Sequence, residues 1–438
     1  MKYTPLIGLE VHVELNTLSK MFCSCPADHF GKEPNTQTCP VCLGLPGALP
    51  VPNKKAIENC IKIGLSLNCT INKLSKFDRK QYFYPDLSKG YQISQYDQPF
   101  CSDGFVVLES GKKIRIERVH QEEDTGKLQH TILNGKKVSL VDFNRSGVPL
   151  VEIVSRPDME SSGEAKEYLK KIHGLIRALG VSSADMEKGQ MRLEPTVNVK
   201  IEDDHGIHYT PLVEIKNINS FNFAVQAIEY EVKRQLDEFS RTAIEKSATN
   251  KTTRGYDSVK KTTFLQRTKE EAKDYRYFPE PDIPPFALND TYIDELRNTL
   301  PLLPDQIIAA LIAEGVEPKY AKVLCDNKDS YIAYNHNKEK EGIDRAKLAS
   351  LIANKKIDIG KDIPAQYQKL TQSGITDRQM LEKVVAQILA ENPSVVADYK
   401  KGKTGVLGFF VGQAMKNTNG QANPQIISKL FLDLLSGS

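Results

Sequence analysis

A chain of 438 residues exceeds what one hydrophobic core usually supports, so two or three domains are expected. Its 40% apolar and 26% charged residues are ordinary for a soluble globular protein, and a net charge of +3 neither marks nor excludes a nucleic-acid binder. No run approaches the roughly 18 apolar residues of a membrane helix, so no membrane partner is expected. Met1–Pro5 carries no apolar signal segment, which predicts a cytoplasmic chain whose clustered cysteines mean metal or catalysis.

The first predicted element is a strand over Gly8–Leu15. Leu9, Val11, Val13 and Leu15 alternate with Glu10, His12 and Glu14, so the polar side chains share one face about 6.6–7 Å apart. Two carboxylates around an imidazole can form half of a site for Mg²⁺ or Mn²⁺. The same octet also fits a half-buried strand whose polar face meets water. Cys23-Ser24-Cys25 follows, then Cys39-Pro40-Val41-Cys42. These four thiols have the spacing of two metal-binding turns and predict a closed, structural zinc site. Cys60, Cys69, Cys101 and Cys325 are scattered and are assigned to packing.

Asn53 is the expected cap of a helix running to about Leu67. Beyond it, Phe77–Pro99 interleaves tyrosines and phenylalanines with Arg79, Lys80 and Lys89, broken by Pro85 and Gly90. Rings that stack a base and lysines that meet phosphate make such a stretch a nucleotide-holding loop; a loop packed by its own aromatics fits equally. Residues 114–133 read as β-structure around Glu122-Glu123-Asp124, three acids that repel unless solvated or neutralised by a cation. Val138–Val141 and Pro149–Val154 are further strands. The second is apolar but for Glu152, and an acid inside such a run needs a partner.

Ser161 or Ser162 opens an amphipathic helix that stops at Gly180. Strands follow over Met191–Lys200, with Glu194 on its polar side, and over Leu212–Ser220, which carries Glu214; Ser220 then caps a helix to about Phe239. Regular pattern fails over 251–287, from Thr253-Arg254-Gly255 through Lys269, Glu270 and Asp274-Tyr275-Arg276-Tyr277. Prolines at 279, 281, 284 and 285 mark a boundary, and everything beyond reads as helical, with starts at Asp305, Pro318, Asp329, Asp344, Asp377, Gly405 and Pro424. Lys400, Lys401, Lys403 and Lys416 make the tail mildly basic, as suited to a solvated surface as to an RNA contact.

Gly8–Leu15, Cys39–Gly44, Tyr82–Gln95, Asp142–Pro157, Val213–Phe221 and Asp274–Pro285 resemble, in order, the long motifs of the GatB family, the B subunits of glutamyl/aspartyl-tRNA amidotransferases. Gly402–Lys416 with Gly420-Gln421-Ala422-Asn423-Pro424 resembles that family's YqeY-like tail. The resemblance implies an α+β fold: a strand-rich, kinase-like cradle with its zinc knuckle over 1–289, a helical domain over 290–375 and a tRNA-binding tail over 376–438. It implies a ligase that works in a heterotrimer with the A and C subunits on mischarged Glu-tRNA(Gln) or Asp-tRNA(Asn). ATP phosphorylates the side-chain carboxylate, and ammonia released from glutamine by the A subunit displaces the phosphate.

By motif, the resemblance makes Glu10, His12, Glu123 and Glu152 the catalytic Mg²⁺ set, with Glu122, Glu194 and Glu214 in reserve. It places Lys80, Tyr82, Tyr84 and Lys89 along the ATP loop, and gives Cys23, Cys25, Cys39 and Cys42 to a structural Zn²⁺. The chain departs from the family pattern in three places: Leu193-Glu194-Pro195-Thr196 replaces the usual Cys-Asp-Ala-Asn, Arg156 stands where an acid is commoner, and Gln81 where Asn is usual. The alternative from another class is a tRNA-binding scaffold without catalysis, which differs in whether a cation and nucleotide bind the Glu10/His12 face.

Overall fold

The computed structural model describes residues 2–268, 275–372, 378–400, 402–418 and 422–436. Lys269, Glu270, Asp274, Asp377, Lys401, Gly420 and Gln421, named above, lie outside the described residues. The chain divides into two compact units, Met1–Pro304 and Asp305–Ser438.

The first unit begins with β1 (Lys2–Glu14), α1 (Lys54–Ser66) and four short strands, β2 (Thr70–Ile71), β3 (Leu74–Ser75), β4 (Asp78–Gln81) and β5 (Tyr91–Ser94). Five longer strands follow: β6 (Cys101–Val107), β7 (Lys113–Glu123), β8 (Lys127–Leu133), β9 (Lys136–Asp142) and β10 (Pro149–Ser155). Then come α2 (Ser162–Leu179), β11 (Met191–Asp203), β12 (Gly206–Tyr209), β13 (Val213–Lys216) and α3 (Phe221–Thr242). The unit ends with β14 (Thr252–Asp257), β15 (Thr262–Thr268), β16 (Phe278–Pro279), β17 (Phe286–Ala287) and α4 (Asp290–Asn298).

One long sheet runs in the order β15-β14-β13-β11-β1-β10-β7-β6-β2, antiparallel except for the β13–β14 pair, with β12 added beside β11. The alternating strand therefore sits in mid-sheet, with β10 on one side and β11 on the other. Its apolar side chains Leu9, Val11, Val13 and Leu15 are at most 3% exposed and share a core with Leu169 and Ile172 of α2 and Ala227 of α3. Each predicted cap is in place. Asn53, Ser161 and Ser220 accept from the backbone N–H of Ala56, Glu164 and Phe223, and Gly180 ends α2 in the left-handed region at φ +67°.

Tyr168 of α2 is fully buried, and its hydroxyl has no hydrogen-bond partner among the described residues. A buried hydroxyl left unpaired costs on the order of 1 kcal/mol. Tyr168→Phe is therefore expected to raise the calorimetric melting temperature of the full chain by about 2 °C. A fall would mean that the hydroxyl is paired after all.

Two expectations need correction. The stretch after residue 251 is not irregular throughout: β14 and β15 form a hairpin at the sheet edge. Arg254 donates to the hydroxyl and carbonyl of Thr263, and a Cβ on Gly255 would come within 2.6 Å of the Phe264 ring, so the glycine serves close cross-strand packing. The strand expected over Leu212–Ser220 is only four residues long, because Asn217 turns the chain at φ +65°.

In the second unit the described elements are helical: α5 (Pro304–Ala313), α6 (Pro318–Asp326), α7 (Lys328–Asn337), α8 (Arg345–Ala353), α9 (Ile363–Gln372), α10 (Arg378–Glu391), α11 (Pro393–Lys400), α12 (Leu407–Asn417) and α13 (Pro424–Ser436), with one short 3₁₀ turn. They enclose two apolar clusters, one around Leu324, Tyr334 and Leu348, the other around Val385, Phe410 and Phe431. The fold class is α+β, as the sequence predicts. Among the described residues no helix is long and apolar enough to cross a membrane.

Candidate active site

The polar face of β1 is the floor of the site. Antiparallel pairing sets His12 opposite Glu152 of β10, and Glu152 in turn opposite His120 of β7, so the three side chains form one row on one face. Glu122, two residues on from His120, shares that face. His12 Nε2 lies 3.6 Å from Glu122 Oε1 and 3.7 Å from Glu152 Oε2, and a ligand atom from each of the three falls within 4.8 Å of the others.

Both carboxylates are held from behind. The Ser94 hydroxyl donates to Glu122 Oε2 at 3.1 Å, and His120 Nε2 lies 3.1 Å from Glu152 Oε2. Two buried acids and one imidazole, so oriented, are a donor set that suits Mg²⁺ or Mn²⁺. Burial alone would raise the Glu152 carboxyl, but His120, His12 and Lys80 outweigh it and hold it well below the usual range. It is therefore a carboxylate, as a ligand must be.

The other predicted acids are placed differently. Glu123 faces away from His12, because successive residues on a strand point to opposite sides. Its Oε1 meets Lys89 Nζ at 2.5 Å and accepts the N–H of Ile93 at 3.0 Å. Glu10 lies one row along β1, in register with Glu194. Burial first, then the charges of Glu152, Glu214 and Glu194, pushes the Glu10 carboxyl up to about 7. Glu194 and Glu214 share the ammonium of Lys216, at 3.0 and 3.1 Å.

Of the predicted loop, Lys80 lies close enough to the trio to feel the charges of Glu122 and Glu152. Burial opposes its charge, but Tyr277, Glu122 and Glu152 raise its pKa well above the ordinary value, and its ammonium lies 4.9 Å from the Tyr275 ring centre. Tyr82 packs edge-on against Tyr275 at 6.0 Å, and Tyr277 stacks on Tyr96 at 4.3 Å. Tyr84 is exposed, and Lys89 is engaged with Glu123. The trio thus has the Lys80 ammonium and a group of rings near it, a surrounding that can take a phosphate-bearing aromatic ligand. The sequence reading missed His120 and Ser94. It missed Tyr277 as part of this group too.

The four cysteines also converge. Their sulfurs lie within 4.8 Å of one another, with Cys39 and Cys42 at 3.9 Å. Tetrahedral zinc at about 2.3 Å from each sulfur places the sulfurs about 3.8 Å apart, so the set fits that ion. A hydrogen bond from the Cys23 thiol, the Cys39 N–H and the Lys20 ammonium 3.7 Å away together lower the pKa of the Cys42 thiol, against its burial. That thiol is ready to bind as thiolate.

Comparison with known proteins identifies the family. Residues 5–294 match the family model described as the GatB/GatE catalytic domain, and residues 340–435 match that of the GatB domain. The chain is 42% identical over 490 residues to the B subunit of the aspartyl/glutamyl-tRNA(Asn/Gln) amidotransferase of Thermotoga maritima, with all of both chains covered. It is 43% identical to the protein of that name from Persephonella marina, covering 99% of this chain and all of the relative. The like-named protein of Caldicellulosiruptor saccharolyticus is 42% identical, with 99% of each chain covered.

Proposed function

The chain belongs to the GatB family of tRNA-dependent amidotransferase subunits, and on that premise we propose that it phosphorylates the side-chain carboxylate of Glu-tRNA(Gln) or Asp-tRNA(Asn) with ATP. The observation that carries this reading is the His12/Glu122/Glu152 trio with Lys80 and the tyrosines beside it. A carboxylate is a poor electrophile, and its acyl phosphate has a leaving group that ammonia can displace. The A subunit supplies that ammonia from glutamine, and the C subunit completes the heterotrimer.

His12, Glu122 and Glu152 hold Mg²⁺ in this reading. When bound, the ion offsets the charge of phosphate and carboxylate groups that otherwise repel each other. Lys80 meets the phosphates, and Tyr82, Tyr275 and Tyr277 wall the nucleotide. Glu10, Glu194 and Glu214 form a second acidic group one row away, in which Lys216 bridges Glu194 and Glu214. Lys89 and Glu123 brace the ATP loop, and Tyr84 lies at its exposed tip. Cys23, Cys25, Cys39 and Cys42 hold the structural zinc. The helical second unit binds the tRNA, and the enzyme works in the cytoplasm.

The test is reconstitution with the A and C subunits, without glutamine, in hydroxylamine. ADP formation is expected only when the tRNA carries Glu or Asp, with the acyl phosphate trapped as an ATP-dependent side-chain hydroxamate, distinct from the α-hydroxamate that the aminoacyl ester gives without ATP. No ADP and no ATP-dependent side-chain hydroxamate would sink the reading in favour of a scaffold, and ATP hydrolysis that is equal with uncharged tRNA would overturn it as well.

A further inference from the structure

The cysteine knuckle abuts the loop that carries Lys89. The Cys42 carbonyl accepts the Ser88 hydroxyl at 2.8 Å and the Ser146 hydroxyl at 3.3 Å. Two residues on, Gly44 sits at φ +70° directly against Lys89: a Cβ there would lie 2.5 Å from Lys89 Cγ and 3.1 Å from its Cα. No other residue type leaves that space. Cys23, Cys42, Gly44, Lys89, Glu123 and Gly147 then line one cavity of about 70 Å³, with the Lys89–Glu123 ion pair in its wall. Glu123 in turn accepts the N–H of Ile93, one residue from Ser94, and Ser94 holds Glu122 of the trio.

A short chain of contacts thus runs from a metal ligand to a ligand of the candidate active site: Cys42 to Ser88, Lys89 to Glu123, and Ile93–Ser94 to Glu122. Lys20 strengthens the first link. It is fully buried, and its ammonium reaches the Cys42 sulfur, the Gln37 carbonyl at 2.8 Å and the Phe143 carbonyl at 3.3 Å. A tetrathiolate zinc centre carries net negative charge, and this buried cation offsets part of it.

We propose that the metal-loaded knuckle is a positioning element for the Lys89 loop, through the Cys42 carbonyl and the Gly44 contact, and not only a clip that closes its own turns. The proposal rests on the zinc reading given above. Without the ion, four thiols have nothing to converge on, the 42–44 turn loosens, and Ser88 and Lys89 lose the surface they pack against. The loop then opens locally while the sheet beneath it stays closed.

The test is hydrogen–deuterium exchange on the full chain in complex with the A and C subunits, after its metal content is measured. Chelation is expected to speed amide exchange at least tenfold over residues 86–94 as well as 39–48, and to leave α2 unchanged. Ser88→Ala is expected to keep its zinc, to speed exchange over 86–94 severalfold and to raise KM for ATP more than it lowers kcat; Ser88→Thr restores both. A chain that binds no zinc overturns the zinc reading and this proposal with it. Zinc that binds, but whose removal opens 39–48 alone, overturns only the proposal. Opening of α2 alongside the loop marks general unfolding and overturns it too.

Discussion

Glu122→Gln is expected to lower Mn²⁺ affinity at the β1 face by at least about a hundredfold, while Glu123→Gln leaves it within about twofold. The two acids are neighbours in sequence, but strand geometry sends them to opposite faces of β7. Glu122 meets His12 at 3.6 Å; Glu123 meets Lys89 at 2.5 Å. Glutamine keeps an oxygen for Ser94 or Ile93 in either variant, so neither substitution leaves a cavity. What differs is which charge is lost. Manganese titration followed by electron paramagnetic resonance reads the two sites apart, and tRNA-dependent ATP hydrolysis should fall with the first variant far more than the second. If both variants lose the ion equally, the trio is not the cation site.

Much of this arrangement is legible in the sequence. Alternation over Gly8–Leu15 identifies β1 and both of its faces, the caps at Asn53, Ser161 and Ser220 fix three helices, and the cysteine spacing anticipates four converging sulfurs. What alternation cannot give is where it breaks. Ile114 and Ile116 point into the core, and strict period two would send Arg118, His120 and Glu122 after them. Instead the β7–β10 register slips between Val154 and Ser155, so Val119 takes the core position and His120 and Glu122 turn to face His12. A bulge leaves no mark in composition.

The covering sheet is just as silent. β4, β5 and β16 pair across almost two hundred residues of sequence, and β5 brings Ser94, Ile93 and Gln92 onto Glu122 and Glu123. Three acids whose sequence leaves both solvation and neutralisation open are thereby buried to 3% exposure or less. The tyrosines at 275 and 277 join the group only because β16 returns beside β4.

Asp124, the third acid of that run, carries the second large effect: Arg192→Leu is expected to destabilise the first unit by about 3 kcal/mol. Asp124 is buried, and Arg192 Nη2 donates to its Oδ2 at 2.7 Å. Burial would raise its carboxyl, yet the guanidinium groups of Arg145 and Arg192 hold it far below the usual range. With Arg192 gone, Asp124 keeps the Thr125 N–H at 2.8 Å, Arg145 at 3.8 Å and the hydrogen bond it shares with the Glu14 carboxyl, too little to offset a buried charge. Calorimetry of the full chain should show its transition about 6 °C lower. Asp124→Asn combined with Arg192→Leu removes both charges and should recover most of the loss, because it is the uncompensated carboxylate that is costly and not the missing contact. If the double variant melts no higher than Arg192→Leu alone, Arg192 stabilises the sheet through packing of its stem beside His12, the residue it faces across the β1–β11 pair.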